Sequence, residues 1–496
     1  MKARKRLVLI IMSGIMLVSV LFISGIILAM DKTPYYDIDR NGKSFGHSVF
    51  TLYDGRVYAA VPSDGYFLIP GADPDSFRLL PDNNNHNGRQ FAADKYHAWC
   101  GNLPVADFNP QTAVTIGNGY FTDGKNTVFC APYTRINNEL TGLQKLYQQW
   151  RYGWGLSDKP LTYYYPQQQL PPSATPYRIS ADSGLVSNGE QVFFDGKLMP
   201  AANPETLRPV AVRQNDKSVR ESRVFYHDGE HVYYQHHLLP LKDTESLYGF
   251  YLGNLFQEAY LFDPQTGQAA MNNVMFPPEY APYRVISYYG QHVNQGLFLS
   301  RNGVYFYDRK KEKIRRAGDN PPLQDSCREI SPLIFTCGNE TRYLQGSESW
   351  GGRKSPGLIS RSTILYRLGD NTTDNWEKIG DITSHHYGEV WQKGGQYYYF
   401  DRLGASQLMR GPIYLIPDNM TVRALLSDDL RVDDLRKMAH DGRLQDISGT
   451  EMLKATTRYK ESMFSFLNFS DDDRVTAIIF LIENKLHLTN TFRFIE

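Results

Sequence analysis

The chain has 496 residues with 53 basic and 53 acidic side chains, so it lacks the net positive footprint that wrapping nucleic acid demands. Its 34 Tyr, 26 Phe and 40 Gly exclude a polar, disordered chain. They favour β structure with many short connections, because aromatics suit half-buried pleated surfaces and Gly suits tight turns.

Residues 7–30 read LVLIIMSGIMLVSVLFISGIILAM, without one charge. As a helix this stretch would span about 36 Å, enough to cross a hydrocarbon core of about 30 Å. Lys2, Arg4, Lys5 and Arg6 stand before it. Basic residues hold their side in the cytoplasm, so residues 1–6 are expected there and everything after the anchor on the far face. A cleaved signal peptide would have a shorter apolar core. Residues 31–43 follow as a short polar linker that keeps the body near the membrane.

A repeat domain is expected over residues 44–415. Tyr53-Asp54-Gly55-Arg56-Val57-Tyr58 leads to the loop Pro70-Gly71-Ala72-Asp73-Pro74-Asp75-Ser76-Phe77. Ala93-Asp94-Lys95-Tyr96-His97-Ala98-Trp99 leads to Leu103-Pro104-Val105-Ala106-Asp107-Phe108-Asn109-Pro110. The layout returns at Ser187-Asn188-Gly189-Glu190-Gln191-Val192-Phe193-Phe194, with its loop at Leu198 to Leu207, and at His227-Asp228-Gly229-Glu230-His231-Val232-Tyr233-Tyr234, with its loop at Leu239 to Leu247. A partial copy runs from Thr122 to Phe129. Asp-Gly and Asn-Gly supply the positive-φ residues of a tight hairpin, and Asp-Pro or Asn-Pro opens the next turn. One such unit cannot bury its apolar face alone; stacked neighbours bury it together.

These repeats resemble the bacterial DKNYY family over roughly residues 47–250. Asp94-Lys95-Tyr96-His97-Ala98-Trp99 and the Asp-Gly versions carry the resemblance, although Gly replaces Lys in most copies. The resemblance implies a bacterial repeat protein and brings no functional residues with it. The anchor would then place the chain as a single-pass protein of the inner (cytoplasmic) membrane, with its bulk periplasmic or extracellular.

An insertion follows the partial copy, carrying Trp150, Tyr152, Trp154, Tyr163, Tyr164 and Tyr165 before Pro171-Pro172. Long loops carry function more often than strands do, so these residues form the expected partner surface. Hairpin logic persists at residues 259–268, 302–309 and 394–400. Strand–turn–strand units about 40–50 residues apart fit a β-propeller of about seven or eight blades. An open stack of hairpins is the alternative. Residues 416–496 are expected as a small α+β region: a helix from Ser427 to Met438, a second near Thr450–Tyr459, and a closing hairpin of Val475–Ile482 with Lys485–Phe494.

The four cysteines form no CxxC pair, so zinc ribbon and thioredoxin-like chemistry are unsupported. Sequence proximity pairs Cys100 with Cys130 and Cys327 with Cys337 as disulfides; buried free thiols are the alternative. The first pair has a second argument, because both residues follow the aromatics of successive units and so lie close in space.

The best metal candidates are His227, His231, His236 and His237, but Asp228-Gly229 marks a turn from which imidazoles diverge. His385-His386 near Glu389 and the run Asp471-Asp472-Asp473 are weaker versions. No nucleophile elbow or phosphate loop is present, and Gly352-Arg353-Lys354-Ser355 is too short for one. No cofactor, catalytic residue or enzyme class is therefore assigned. The sequence reads as a membrane-anchored extracytoplasmic binding or scaffolding module that engages another envelope protein, with capture of an incoming toxin as one form. The alternative is a periplasmic hydrolase on a propeller, whose carboxylates would converge in a deep pocket.

Overall fold

The structure is a computed structural model that describes residues 16–29, 35–80, 88–180, 184–213, 218–252, 259–286, 292–321, 327–351, 357–369, 374–382, 387–404 and 409–459. It is mainly β. The chain divides into two compact units at Met199 and Pro200, so the repeat region is split between them.

The strands form successive four-stranded antiparallel meanders. Unit one holds four of them, within residues 43–68, 78–104, 114–169 and 178–198. The turns are those read from the sequence. Asp94 Oδ1 accepts the N–H groups of Tyr96 and His97, Asp123 Oδ1 those of Lys125 and Asn126, and Asn188 Oδ1 those of Glu190 and Gln191, all within 3.0 Å. Each side chain satisfies N–H groups that the tight turn turns away from the ladder.

Period-two alternation lets one strand serve two neighbours. In the third sheet, Phe121 and Val128 pack with Phe91 and Ala98 of the second, while Tyr120 and Phe129 pack with Val186 and Phe193 of the fourth. Each such aromatic, fully buried, contributes on the order of 2–3 kcal/mol. The disulfide Cys100–Cys130 ties the third strands of the second and third sheets, with Cα atoms 5.6 Å apart. The expected linker contains a helix, Tyr35–Asn41. Its Ile38 is buried, and Gly42 at its end lies against Thr51 of the first sheet.

Unit two contains meanders within residues 208–242, 248–275, 284–318, 328–368 and 377–416. The first two join into one eight-stranded sheet through a parallel pairing of Val212 with Gly249. Cys327–Cys337 encloses the first hairpin of the fourth, Cys337 ending its second strand. In the last sheet Tyr398 and Phe400 face Ile334 and Tyr343 of the sheet before it. Tyr399, between them, faces Val422, Leu425, Leu435 and Met438 from two helices, Asn419–Leu425 and Val432–His440. Both faces of the last sheet are thereby occupied within this unit.

The C-terminal region departs from expectation in two ways. The helix expected from Ser427 begins at Val432, with Arg431 as its N-cap residue. The segment expected as a helix near Thr450–Tyr459 is instead a strand, Gly449–Arg458, paired along residues 360–368. Leu453, Ala455 and Thr457 are buried in alternation, and that period of two decides for the strand. The expected closing hairpin lies outside the described residues.

Candidate binding surface

The aromatic insertion is built between the third and fourth strands of the third sheet, Thr127–Cys130 and Gln167–Gln169. It opens into a helix, Gly142–Gly153, started by a capping box: Gln144 N–H donates to Thr141 Oγ1, and Thr141 N–H to the Gln144 side chain. After the helix the chain is fastened to the first two sheets. Lys159 Nζ donates to the Tyr66 carbonyl at 3.1 Å and lies 3.8 Å from the Asp64 carboxylate, which also accepts from Thr162 Oγ1 and from Tyr163 N–H. Burial raises the Asp64 carboxyl above its ordinary value, opposed by Lys159, and lowers the Lys159 amine. Both groups thus bear a desolvation cost for holding the insertion down.

The six expected surface aromatics are not one patch. Tyr165 is 3% exposed, its hydroxyl donates to the Ala60 carbonyl, and burial pushes it up to about 12. It is a core residue. A Cβ on Gly101 would overlap its ring, so glycine is required there. Tyr163 and Tyr164 are half-buried in a two-stranded ladder with Arg135 and Ile136. Tyr152 is half-buried, and Trp154 is exposed. Trp150 packs on the N-terminal apolar segment, where residues 16–29 are helical: its Nε1 donates to the Leu21 carbonyl at 3.0 Å, and its ring stacks on Phe22. Among the described residues no helix is long and apolar enough to cross a membrane; residues 7–15 and 30 of the apolar stretch lie outside them.

The four candidate histidines do not converge. His227 Nδ1 lies 2.7 Å from Asp243 Oδ2, and its Nε2 accepts from Arg208 Nε. His231 turns to Asp228, while His236 and His237 contact one another with ring centroids 3.9 Å apart. Among the described residues no group of three or more His, Cys, Asp or Glu side chains could hold a metal ion. His385, His386 and Asp471 to Asp473 lie outside them.

Two polar clusters of unit two escaped the sequence reading. His292 Nε2 sits 2.7 Å from Asp401 Oδ2, and Tyr399 donates to Asp401 Oδ1 at 2.6 Å. All three are buried; burial, with the Asp401 charge, drives the Tyr399 hydroxyl well up. A cleft of about 360 Å³ is lined by Arg328, Glu340, Thr341, Asp374, Trp376 and Lys393. Its Glu340 carboxylate is held below its ordinary value by hydrogen bonds from Arg342 and Arg367, which suits a structural ion pair rather than a proton donor.

A different feature offers itself to a partner. The fourth sheet of unit two has two long strands, Glu340–Gly351 and Gly357–Leu368, whose far ends leave the core as a ribbon. Ser347, Glu348, Ser349 and Trp350 are exposed, Trp350 at 60%. Glu348 accepts from Trp350 Nε1 at 2.9 Å and from Arg361 Nε at 2.7 Å, which orients the indole. Among the described residues no strand pairs with the outer edge of Glu348–Gly351. A free edge beside an oriented aromatic is the geometry of strand addition. No hydrophobic pattern in the sequence marked the segment as protruding; a lone Trp350 after Ser347, Glu348 and Ser349 was its one signal.

Residues 50–237 match the model of the DKNYY family. No curated protein matches the chain, and no solved structure does.

Proposed function

We propose that this chain, whose residues 50–237 belong to the DKNYY family, is a membrane-anchored binding scaffold that engages another protein of the bacterial envelope. The observation that carries the reading is the ribbon around Trp350, a free strand edge with an exposed, hydrogen-bonded indole held on a rigid sheet. Aromatic anchors of this kind dominate protein interfaces. The apolar stretch at residues 7–30 supplies the anchor, with residues 1–6 in the cytoplasm and the sheets outside. Two disulfides suit that compartment. Capture of an incoming toxin is one form such binding takes.

Within unit two, helices Asn419–Leu425 and Val432–His440 cover one face of the last sheet, as the cap of a terminal repeat does.

The test places a photo-crosslinking amino acid at Ser349 in the full chain, in the host envelope. A stoichiometric protein adduct, absent when the same group replaces Tyr96 in a turn of unit one, supports the reading. Identical adducts at both positions, or none at Ser349, overturn it.

A further inference from the structure

The helix Gly142–Gly153 is amphipathic in the wrong sense for a soluble domain. Leu143, Tyr147, Trp150 and Trp154 recur at the spacing of one helical stripe, and Leu143, Tyr147 and Trp154 are 68%, 54% and 44% exposed. Leu156, just beyond, is 57% exposed. The residues this helix buries are Gly142 and Lys145. A helix on a soluble body turns its apolar stripe inward; this one turns a lysine inward and its stripe away. The stripe therefore calls for an apolar medium other than the core.

The apolar N-terminal helix, residues 16–29, lies alongside. Besides the Trp150 contacts with Leu21 and Phe22, a Cβ on Gly153 would overlap the Gly25 carbonyl, and a Cβ on Gly25 would overlap the indoles of Trp150 and Trp154. Glycines at the crossing let the two backbones approach as membrane helices do. At about 1.5 Å per residue, Gly25 and Phe22 lie about 6 and 11 Å inside the Ala29 end of the described helix. Interfacial helices settle about 5–10 Å into the boundary between headgroups and acyl chains. Trp and Tyr favour that level. No carboxylate occurs from Thr141 to Leu156, and Arg151 stands in the last turn, a charge pattern suited to anionic headgroups.

We propose that the helix Gly142–Gly153 is an interfacial membrane helix whose Leu143–Tyr147–Trp154 stripe lies in the outer headgroup region beside the N-terminal helix. It acts as a second foot that fixes how unit one stands on the bilayer. The proposal rests on reading residues 7–30 as the anchor.

The test uses the full chain in vesicles of phosphatidylglycerol and phosphatidylcholine. The native cysteines are paired, so an environment-sensitive fluorophore can be placed on Tyr147→Cys and, as an aqueous control, on Tyr96→Cys, both at exposed positions. The expected result is blue-shifted emission at 147, quenching by brominated lipid, and iodide quenching reduced about fivefold against 96, as for a group in the interface. Equal iodide quenching at the two positions, in a chain that resists alkaline carbonate extraction, overturns the foot and leaves the anchor standing. Extraction of the chain by carbonate overturns both.

Discussion

The Asp94 carboxylate reaches back to Asp73: its Oδ2 accepts the Asp73 backbone N–H at 2.8 Å, while Oδ1 holds its own turn. The turn of one sheet is thus fastened to the Asp-Pro loop leaving the sheet before it. The same bond recurs from Asn109 to Asp123 at 2.8 Å and from Asn203 to Asp228 at 3.1 Å. The two halves of the sequence repeat, an Asp-Pro or Asn-Pro loop and an acidic turn, are donor and acceptor of one recurring contact.

Removing that acceptor should loosen both the turn and the junction. Burial raises the Asp228 carboxyl, but N–H groups of His231, Glu230 and Asn203 outweigh it, so the net shift is downward. Asp228→Ala strands three backbone donors and should cost about 1–3 kcal/mol. Asp228→Asn, which mimics Asn188 in the fourth sheet, should cost less. Denaturant unfolding of the three proteins checks the order; equal stability of Asp228→Ala and the parent would refute the contact's role.

Glu389 gives the clearest pH dependence. Its carboxylate, 5% exposed, accepts from Lys378, Arg402, Ser331 and Trp391 within 2.9 Å. Burial raises it, yet Lys378 and the other donors prevail and its folded value is lowered from 4.5. A lowered carboxylate contributes stability that is fully present above its ordinary value and lost as pH falls through the folded one. Glu389→Gln should therefore cost about 1–3 kcal/mol at neutral pH, because it takes the charged acceptor away from Lys378, which keeps Asp381, and from Arg402, both about one-third exposed. It should also flatten the loss of stability below about pH 4.5. Thermal melts from neutral to acid pH read both effects, and parallel profiles for parent and variant would contradict them.

Much of the fold was legible because its signals are local. Asp94, Asp123 and Asn188 bond to residues two and three ahead, so their turns are written in four or five letters. Cys100 and Cys130 could be paired because a repeat turns sequence equivalence into proximity. What failed is non-local. Residues 449–458 have a strand's burial pattern only because residues 360–368, about ninety positions earlier, offer an edge. Ile38 made its linker a helix by finding the first sheet to cover. Tyr165 and Trp150 look alike in sequence, yet one enters the core and the other meets the N-terminal helix.

The disulfides should stabilise in the order of the loops they close, rising with the logarithm of loop length. Cys100–Cys130 spans 30 residues and Cys327–Cys337 spans 10. Loop-closure entropy then favours the first by about 1 kcal/mol, from about 4 against about 3 kcal/mol. Paired Cys→Ala variants, compared under oxidising conditions, should melt in that order. Cys100 and Cys130 are also fully buried between sheets, so their loss adds packing defects that widen the gap. A larger loss from the Cys327–Cys337 pair would mean that its loop holds more than its length implies.

Trp350 separates binding from folding. Its side chain is exposed and hydrogen-bonds Glu348, so Trp350→Ala should change stability by no more than about 0.5 kcal/mol. A tryptophan at the centre of an interface typically carries at least about 2 kcal/mol, which is about thirtyfold in affinity. The expected outcome is an unchanged melting temperature with loss of the partner crosslinked at Ser349. Glu348→Gln should give a smaller loss, because it relaxes the indole without removing it. If Trp350→Ala unfolds the fourth sheet of unit two, the ribbon is structural. If it leaves both stability and partner binding intact, the partner meets another surface.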